Sequence, residues 1–196
     1  GGAIIGEASV DEYSDAAVIS FDDTNVFGAG GVSVLEINMF DNVRIDRVFY
    51  YAASVFCTTG GPLSDLFARA TKDIGHSDDV TLMRCMPGLI EAQVNGNFVV
   101  IGSLEVLERE GRRIPRKLKL HADEEFGPAV SAMYMVLNGK FTARILVKYT
   151  VSPDFESTLK QLDKNGLFVG IRTFDPNITE EFLGRQIDLK AYPLRI

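Results

Sequence analysis

Residues 16–25 read AAVISFDDTN, and residues 167–175 read LFVGIRTFD. Each is a short, mostly apolar run that ends among carboxylates and threonines. Asp22, Asp23 and Thr24 close the first, and Thr173 and Asp175 close the second. A continuous apolar run bounded by turn residues is the pattern of a strand buried on both faces, as in a parallel sheet. Open parallel sheets bind ligands beyond the carboxyl ends of their strands. If the two runs are neighbours, Asp22, Thr24, Thr173 and Asp175 converge at one edge of the sheet. The plainer reading is that these side chains only build turns and cap helices.

Between the two runs the pattern changes. A glycine cluster (Gly28, Gly30, Gly31) leads into a second strand, Val32 to Ile37. Val48, Tyr51, Ala52 and Val55 recur at helical spacing within residues 46–56, and Leu63, Leu66, Phe67 and Ala70 do so after Pro62, a residue suited to a first helical turn. Residues 80–85 alternate weakly. Asn95-Gly96 and Asn138-Gly139 each separate two apolar runs, 89–94 from 98–101 and 130–137 from 141–149. Asn-Gly is a strong two-residue hairpin signal, because both central residues need positive φ. Short helices are expected over 104–110, stopped by Gly111, over 153–165, capped by Gly166, and from Thr179. The order is a parallel-type strand, a long antiparallel α+β insertion, then a helix and a second parallel-type strand.

Composition narrows the function classes. The 196 residues carry a formal charge of −7, and 46% are hydrophobic. That apolar fraction supports a packed core. The acidic balance argues against a nucleic-acid partner, which needs clustered Lys and Arg. The most basic stretch, Arg109 to Lys119, is followed by Asp123, Glu124 and Glu125 and reads as a solvated loop. No window approaches the roughly 18 apolar residues of a membrane-spanning helix. The N-terminal residues have carboxylates where a signal peptide needs an apolar core. Cys57 and Cys85 have no metal-site spacing and are expected to be buried free thiols, and His76 and His121 lie in polar, exposed loops. The aromatic group Phe49, Tyr50, Tyr51 and Phe56 reads as core.

Several stretches also match a known family in order and spacing. AIIGEASVDEYSDAAVISFDDTNVF looks like the segment that carries the signature DKTGT, and GGPLSDLFARAT looks like a helix that opens on His-Pro. PGLIEAQVNGNFVVIGSLEVLEREG looks like a glycine-containing ATP-binding hairpin with its following helix, and MYMVLNGKFTARILVKYTVSPDFESTLKQLDKNGLFVGIRTFDPN looks like the approach to a TGD motif. Together they resemble the cytoplasmic nucleotide-binding and phosphorylation region of P-type cation-transporting ATPases, especially the heavy-metal subgroup. The resemblance implies an α/β fold. A haloacid-dehalogenase-type Rossmann-like phosphorylation domain would be built from residues 1–30 and 149–196. An antiparallel α+β nucleotide-binding-type domain, residues 31–148, would be inserted between them. The family's GDGxND motif and the lysine before it are not reached by Ile196, so the first domain is expected to be partial.

The resemblance also assigns residues. Asp22 matches the phosphoryl-accepting aspartate and a Mg²⁺ ligand, and Thr24 the first threonine of DKTGT. Thr173 and Asp175 match the ends of TGD. Gly61 and Pro62 stand at the His-Pro pair, and Gly88 and Gly102 at glycines of the ATP-binding hairpin. Key positions are changed, however. The signature lysine is Asp23, its glycine Asn25 and its second threonine Val26. The TGD glycine is Phe174, the His of His-Pro is Gly61, and the aspartate of the second hinge motif is Tyr149, with Pro153 in place. Phosphoryl transfer to a carboxylate needs positive charge to offset the phosphate, and Asp23 reverses that charge. The implied function is therefore a P-type ATPase-like region with impaired or lost phosphorylation, in a regulatory or structural role. Two alternatives stay open: an active transporter region using ATP and Mg²⁺, and a haloacid dehalogenase-type phosphatase. In either P-type reading the partners are the membrane helices of the full-length chain, the location is the cytoplasmic side of a membrane, and the fragment is expected to be monomeric.

Overall fold

The computed structural model describes residues 9–13, 16–28, 30–187 and 194–196. They form two sheets. The first has four strands in the order β1 (Ser9–Tyr13), β2 (Ala16–Asp22), β9 (Phe168–Arg172) and β10 (Leu194–Arg195). β2 and β9 run parallel, with Asp22 opposite Arg172, so the apolar runs 16–25 and 167–175 are neighbours. β1 pairs antiparallel with β2, and β10 parallel with β9. The short helix α1 (Asp23–Phe27) follows β2 directly, where a polar turn is expected from the sequence. Val26 and Phe27 are buried, and their burial makes the segment helical despite its polar start.

The second sheet is a six-stranded antiparallel one. Its order is β3 (Val32–Met39), β8 (Lys140–Tyr149), β7 (Val130–Leu137), β6 (Asn97–Ser103), β5 (Leu89–Val94) and β4 (Val80–Met86). Both Asn-Gly hairpins form, with φ of 49° at Asn95 and at Asn138. The strands of its middle are buried on both faces. Met133, Met135, Ile145 and Val147 join the cluster that packs under helices α2 (Ile45–Thr59) and α3 (Pro62–Ala70). Tyr134, Val136 and Leu146, on the alternate face, pack with Leu104 and Leu107 of α4 (Leu104–Arg109). This alternation is the strand period of two read twice, once for each layer.

α2 buries Val48, Tyr51, Ala52, Val55 and Phe56, the stripe expected from the sequence. The basic stretch is a loop with one 3₁₀ turn, Arg116–Leu118, tied down by Tyr134, whose hydroxyl donates to Leu118 O and accepts from Leu120 N. The acidic run after it forms the short helix α5 (Ala122–Phe126), anchored by buried Ala122. His76 and His121 are exposed, as expected. The cysteines differ from expectation: Cys57 is half-buried and Cys85 is exposed, because Cys85 lies on β4, the edge strand of the six-stranded sheet. Helices α6 (Pro153–Lys164) and α7 (Glu180–Leu183) complete the layers around the four-stranded sheet. Phe155 of α6 and Phe182 of α7 enter the same apolar cluster as the α2 stripe, so one core runs continuously between the two sheets. No described helix is long and apolar enough to cross a membrane.

Candidate functional site

The carboxyl ends of β2 and β9 meet the N-terminal end of α3 around a cleft of about 450 Å³. It is lined by Asp22, Asp23, Thr24, Arg172, Thr173 and Phe174 from the four-stranded side, and by Thr59, Gly60 and Gly61 from the helical side. Parallel pairing of the two strands puts Asp22 and Thr173 at one edge, as the sequence pattern implies.

Asp22 is half-buried, and its Oδ1 accepts from Arg172 Nε at 3.1 Å. It occupies the N-cap position of α1 without making a side-chain cap bond, so capping does not account for it. Thr24 is exposed in the cleft. Asp23 points inward and is 7% exposed. Its Oδ2 accepts from Thr173 Oγ1 at 2.8 Å. Burial raises its pKa above the ordinary 3.8; the Thr173 bond and the N–H of Thr24 pull the other way, and neighbouring Asp22 adds to the rise. Phe174 projects outward and is 50% exposed at the mouth.

Asp175 does not face the cleft. It is buried, and its Oδ2 accepts from Tyr149 Oη at 2.5 Å while its Oδ1 accepts from Asn177 N at 2.9 Å. Asn177 Nδ2 in turn donates to Tyr149 Oη at 3.1 Å, and Ser131 Oγ donates to Asn177 Oδ1 at 3.0 Å. Burial pushes the pKa of Asp175 up to about 7, against the two hydrogen bonds it accepts, and Asp23 adds to the rise. The Tyr149 hydroxyl is held well above its ordinary value, chiefly by burial and then by the Asp175 charge. Turn-building explains part of this group: Thr173 Oγ1 accepts from Asp175 N at 3.0 Å, a Ser/Thr turn, and Asp175 to Asn177 is an Asx turn.

The four residues assigned to nucleotide binding separate into two pairs. Gly61 is the N-cap residue of α3, with Pro62 at its first turn, and faces Asp23. A Cβ on Gly61 would lie 3.1 Å from Asp23 Oδ2. Gly88 and Gly102 belong to the other face of the six-stranded sheet, where Val106 and Leu107 of α4 crowd them. Arg172 was not singled out from the sequence. The signal that finds it is strand register, since it stands directly opposite Asp22.

A Mg²⁺ nucleotide fits these residues poorly. Among the described residues, the single guanidinium at the strand ends, Arg172, is already matched by Asp22. The neighbouring side chain, Asp23, is a buried carboxylate turned towards Gly61, an anion where a phosphate would have to approach. Among the described residues, no three His, Cys, Asp or Glu side chains gather in a way that could hold a metal ion.

Comparison with known proteins bears on the chain and its fold. No protein-family model matches the chain. Over 153 residues, 76% of the chain, it is 27% identical to the copper-exporting P-type ATPase of Legionella pneumophila, of which this is 20%. Over 186 residues, 94% of the chain, it is 24% identical to copper-transporting ATPase 1 of Rhizobium meliloti, of which this is 22%. The chain thus spans about a fifth of the length of the curated relatives it matches. A solved catalytic domain of the CPx-ATPase CopB-B superposes with a TM-score of 0.50 at 13% identity, covering 91% of this chain and 59% of that one. The sequence relatives are copper-transporting P-type ATPases, and the fold is that of a CPx-ATPase catalytic domain. The resemblance carried by the motifs, and the mixed α/β class it implies, hold.

Proposed function

We propose that this chain is the cytoplasmic phosphorylation and nucleotide-binding region of a P-type ATPase-like membrane protein in which ATP-driven phosphorylation of Asp22 is impaired or lost, leaving a regulatory or structural role. The observation that carries this reading is the state of Asp23. In the resembled chemistry that position is a lysine, which offsets the phosphate charge. Here it is a carboxylate turned inward, bonded to Thr173 and crowded against Gly61. A buried carboxylate beside the nucleophile repels the incoming anion, and repulsion is strong where water is excluded. The domain division into residues 1–30 with 149–196, and 31–148, belongs to the same proposal and is supported by the two separate sheets.

The test is acid-quenched labelling of the full-length protein with γ-labelled ATP and Mg²⁺. No hydroxylamine-labile phosphate on Asp22 is expected. Stable, Mg²⁺-dependent labelling of Asp22 overturns the reading.

One observation favours a second reading, in which Asp22 is still phosphorylated. Arg172 returns a positive charge to the strand ends, 3.1 Å from Asp22. A guanidinium there could orient a phosphoryl group in place of the missing lysine. Calorimetric titration of the chain with ATP separates the two, since a flat titration at millimolar nucleotide argues against the active form.

A further inference from the structure

The chain crosses between the two sheets twice, and the crossings are bonded side by side. The outgoing chain passes Gly31 into β3, and the returning chain leaves β8 at Tyr149 and reaches α6 through Thr150 to Ser152. Thr150 N donates to Gly31 O at 2.7 Å, and Ser152 N donates to Val26 O at 2.8 Å. Gly31 lies so close that a Cβ there would stand 2.0 Å from Phe27 O. Two short, adjacent crossings are the geometry of a hinge, in which a few residues absorb a rotation of one body against the other.

A buried polar chain spans this hinge. Tyr149, the last residue of β8, belongs to the six-stranded sheet, and its hydroxyl donates to Asp175 and accepts from Asn177, both in the segment after β9 of the other sheet. Asn177 reaches back to Ser131 of β7. The Tyr149 ring is packed against Phe27 of α1 and Phe182 of α7, with centroids 5.1 and 5.2 Å apart. Rotation about the crossings would break these bonds inside an apolar core, leaving polar groups without partners. We infer that Tyr149, Asp175, Asn177 and Ser131 form a latch that fixes the two sheets in one relation and keeps the cleft over Asp22 and Asp23 from opening. The inference goes beyond the proposed loss of phosphoryl transfer, because it concerns conformation and is read by a distance rather than by chemistry at Asp22.

The test is a distance distribution between spin labels placed on either side of the two crossings of the 196-residue chain. Cys85 on β4 is exposed and supplies one label; Ser157→Cys on the exposed side of α6 supplies the other, with Cys57→Ser to remove the second native thiol. The parent is expected to give one narrow distance. Tyr149→Phe keeps the ring and removes both hydroxyl bonds, and is expected to broaden the distribution or add a second population. Ser131→Ala, at a half-buried position, removes only the outer bond and is expected to broaden it less. A folded Tyr149→Phe chain with the parent's distribution overturns the latch. If Tyr149→Phe does not fold, Ser131→Ala decides: a distribution equal to the parent's overturns it, and a broader one supports it. A broad distribution in the parent overturns it outright.

Discussion

The carboxylate of Asp23 and the bare Cα of Gly61 face one another across the cleft, so that a Cβ on Gly61 would stand 3.1 Å from Oδ2 and 3.2 Å from Oδ1. Gly61 also has a φ of 85°, which disfavours any other residue. Both effects act on Gly61→Ala, which is expected to lose about 1–2 kcal/mol of stability by urea unfolding. Gly61→His, which restores the residue the family carries there, is expected to lose more. A stable Gly61→His chain would mean that Asp23 can leave its inward position, and would remove the main support for impaired phosphorylation.

Asp23 itself has a pKa raised chiefly by burial. The folded chain then holds its proton to higher pH than the unfolded chain does. The folded state binds more protons between the two pKa values, and stability falls as pH rises through that window. Asp23→Asn keeps an acceptor for Thr173 and removes the charge. It is expected to be more stable than the parent at pH 8, by about 1 kcal/mol, and to lose that advantage at pH 4. Chemical denaturation at the two pH values checks the crossing.

Asp175 obeys the same sign with a named window. Its pKa moves from the ordinary 3.8 to about 7. Stability is therefore expected to drop as pH rises from about 4 to about 7, and then to level off as far as this group is concerned. The groups that face it are Asp23 from α1, which adds to the rise, and Tyr149 from β8 and the Asn177 backbone, which donate to the ionised form. Asp175→Asn should flatten this part of the profile. A stability curve equally steep in the variant would assign the drop to other groups.

The resemblance places Gly88 at a glycine that lets a nucleotide approach. A Cβ there would lie 2.4 Å from Val106 Cγ2, at a φ of 86°. Packing alone therefore requires glycine. Gly88→Ala is expected to cost about 2–3 kcal/mol with no nucleotide present, measured by thermal or urea unfolding. A negligible cost would return Gly88 to the list of residues kept for a ligand.

The fold was legible where one local signal sufficed. The Asn-Gly turns set both hairpins, and the Val48–Phe56 spacing set α2, because each depends only on neighbours in sequence. Segments whose state depends on distant packing were not legible. α1 is helical because Val26 and Phe27 find the core, and Cys85 is exposed because β4 is an edge strand. The site divides along the same line. Asp22 and Thr173 could be placed together once two parallel strands were expected. That Asp175 turns away to Tyr149, and that Arg172 turns towards Asp22, follows from register and from burial of the hinge, neither of which a single sequence displays.

Arg172 offers the sharpest separation between a structural and a chemical role. Its pair with Asp22 is half-exposed on both sides, with side chains 55% and 48% accessible. Exposed pairs of this kind contribute little, roughly 0–1 kcal/mol, because water and salt screen them and both side chains lose freedom in forming them. Arg172→Ala is therefore expected to change stability by no more than about 0.5 kcal/mol, less still in high salt, as read by urea unfolding at two ionic strengths. If the full-length protein forms any acyl-phosphate on Asp22, however, the guanidinium is, among the described residues, the one cation lining the cleft that can offset the phosphate charge. The same substitution should then reduce labelling at least about tenfold, since one well-placed charged donor contributes that much or more to a transition state. Labelling that survives Arg172→Ala undiminished would show that the charge is met from elsewhere, and that the Asp22–Arg172 pair is no more than a surface ion pair.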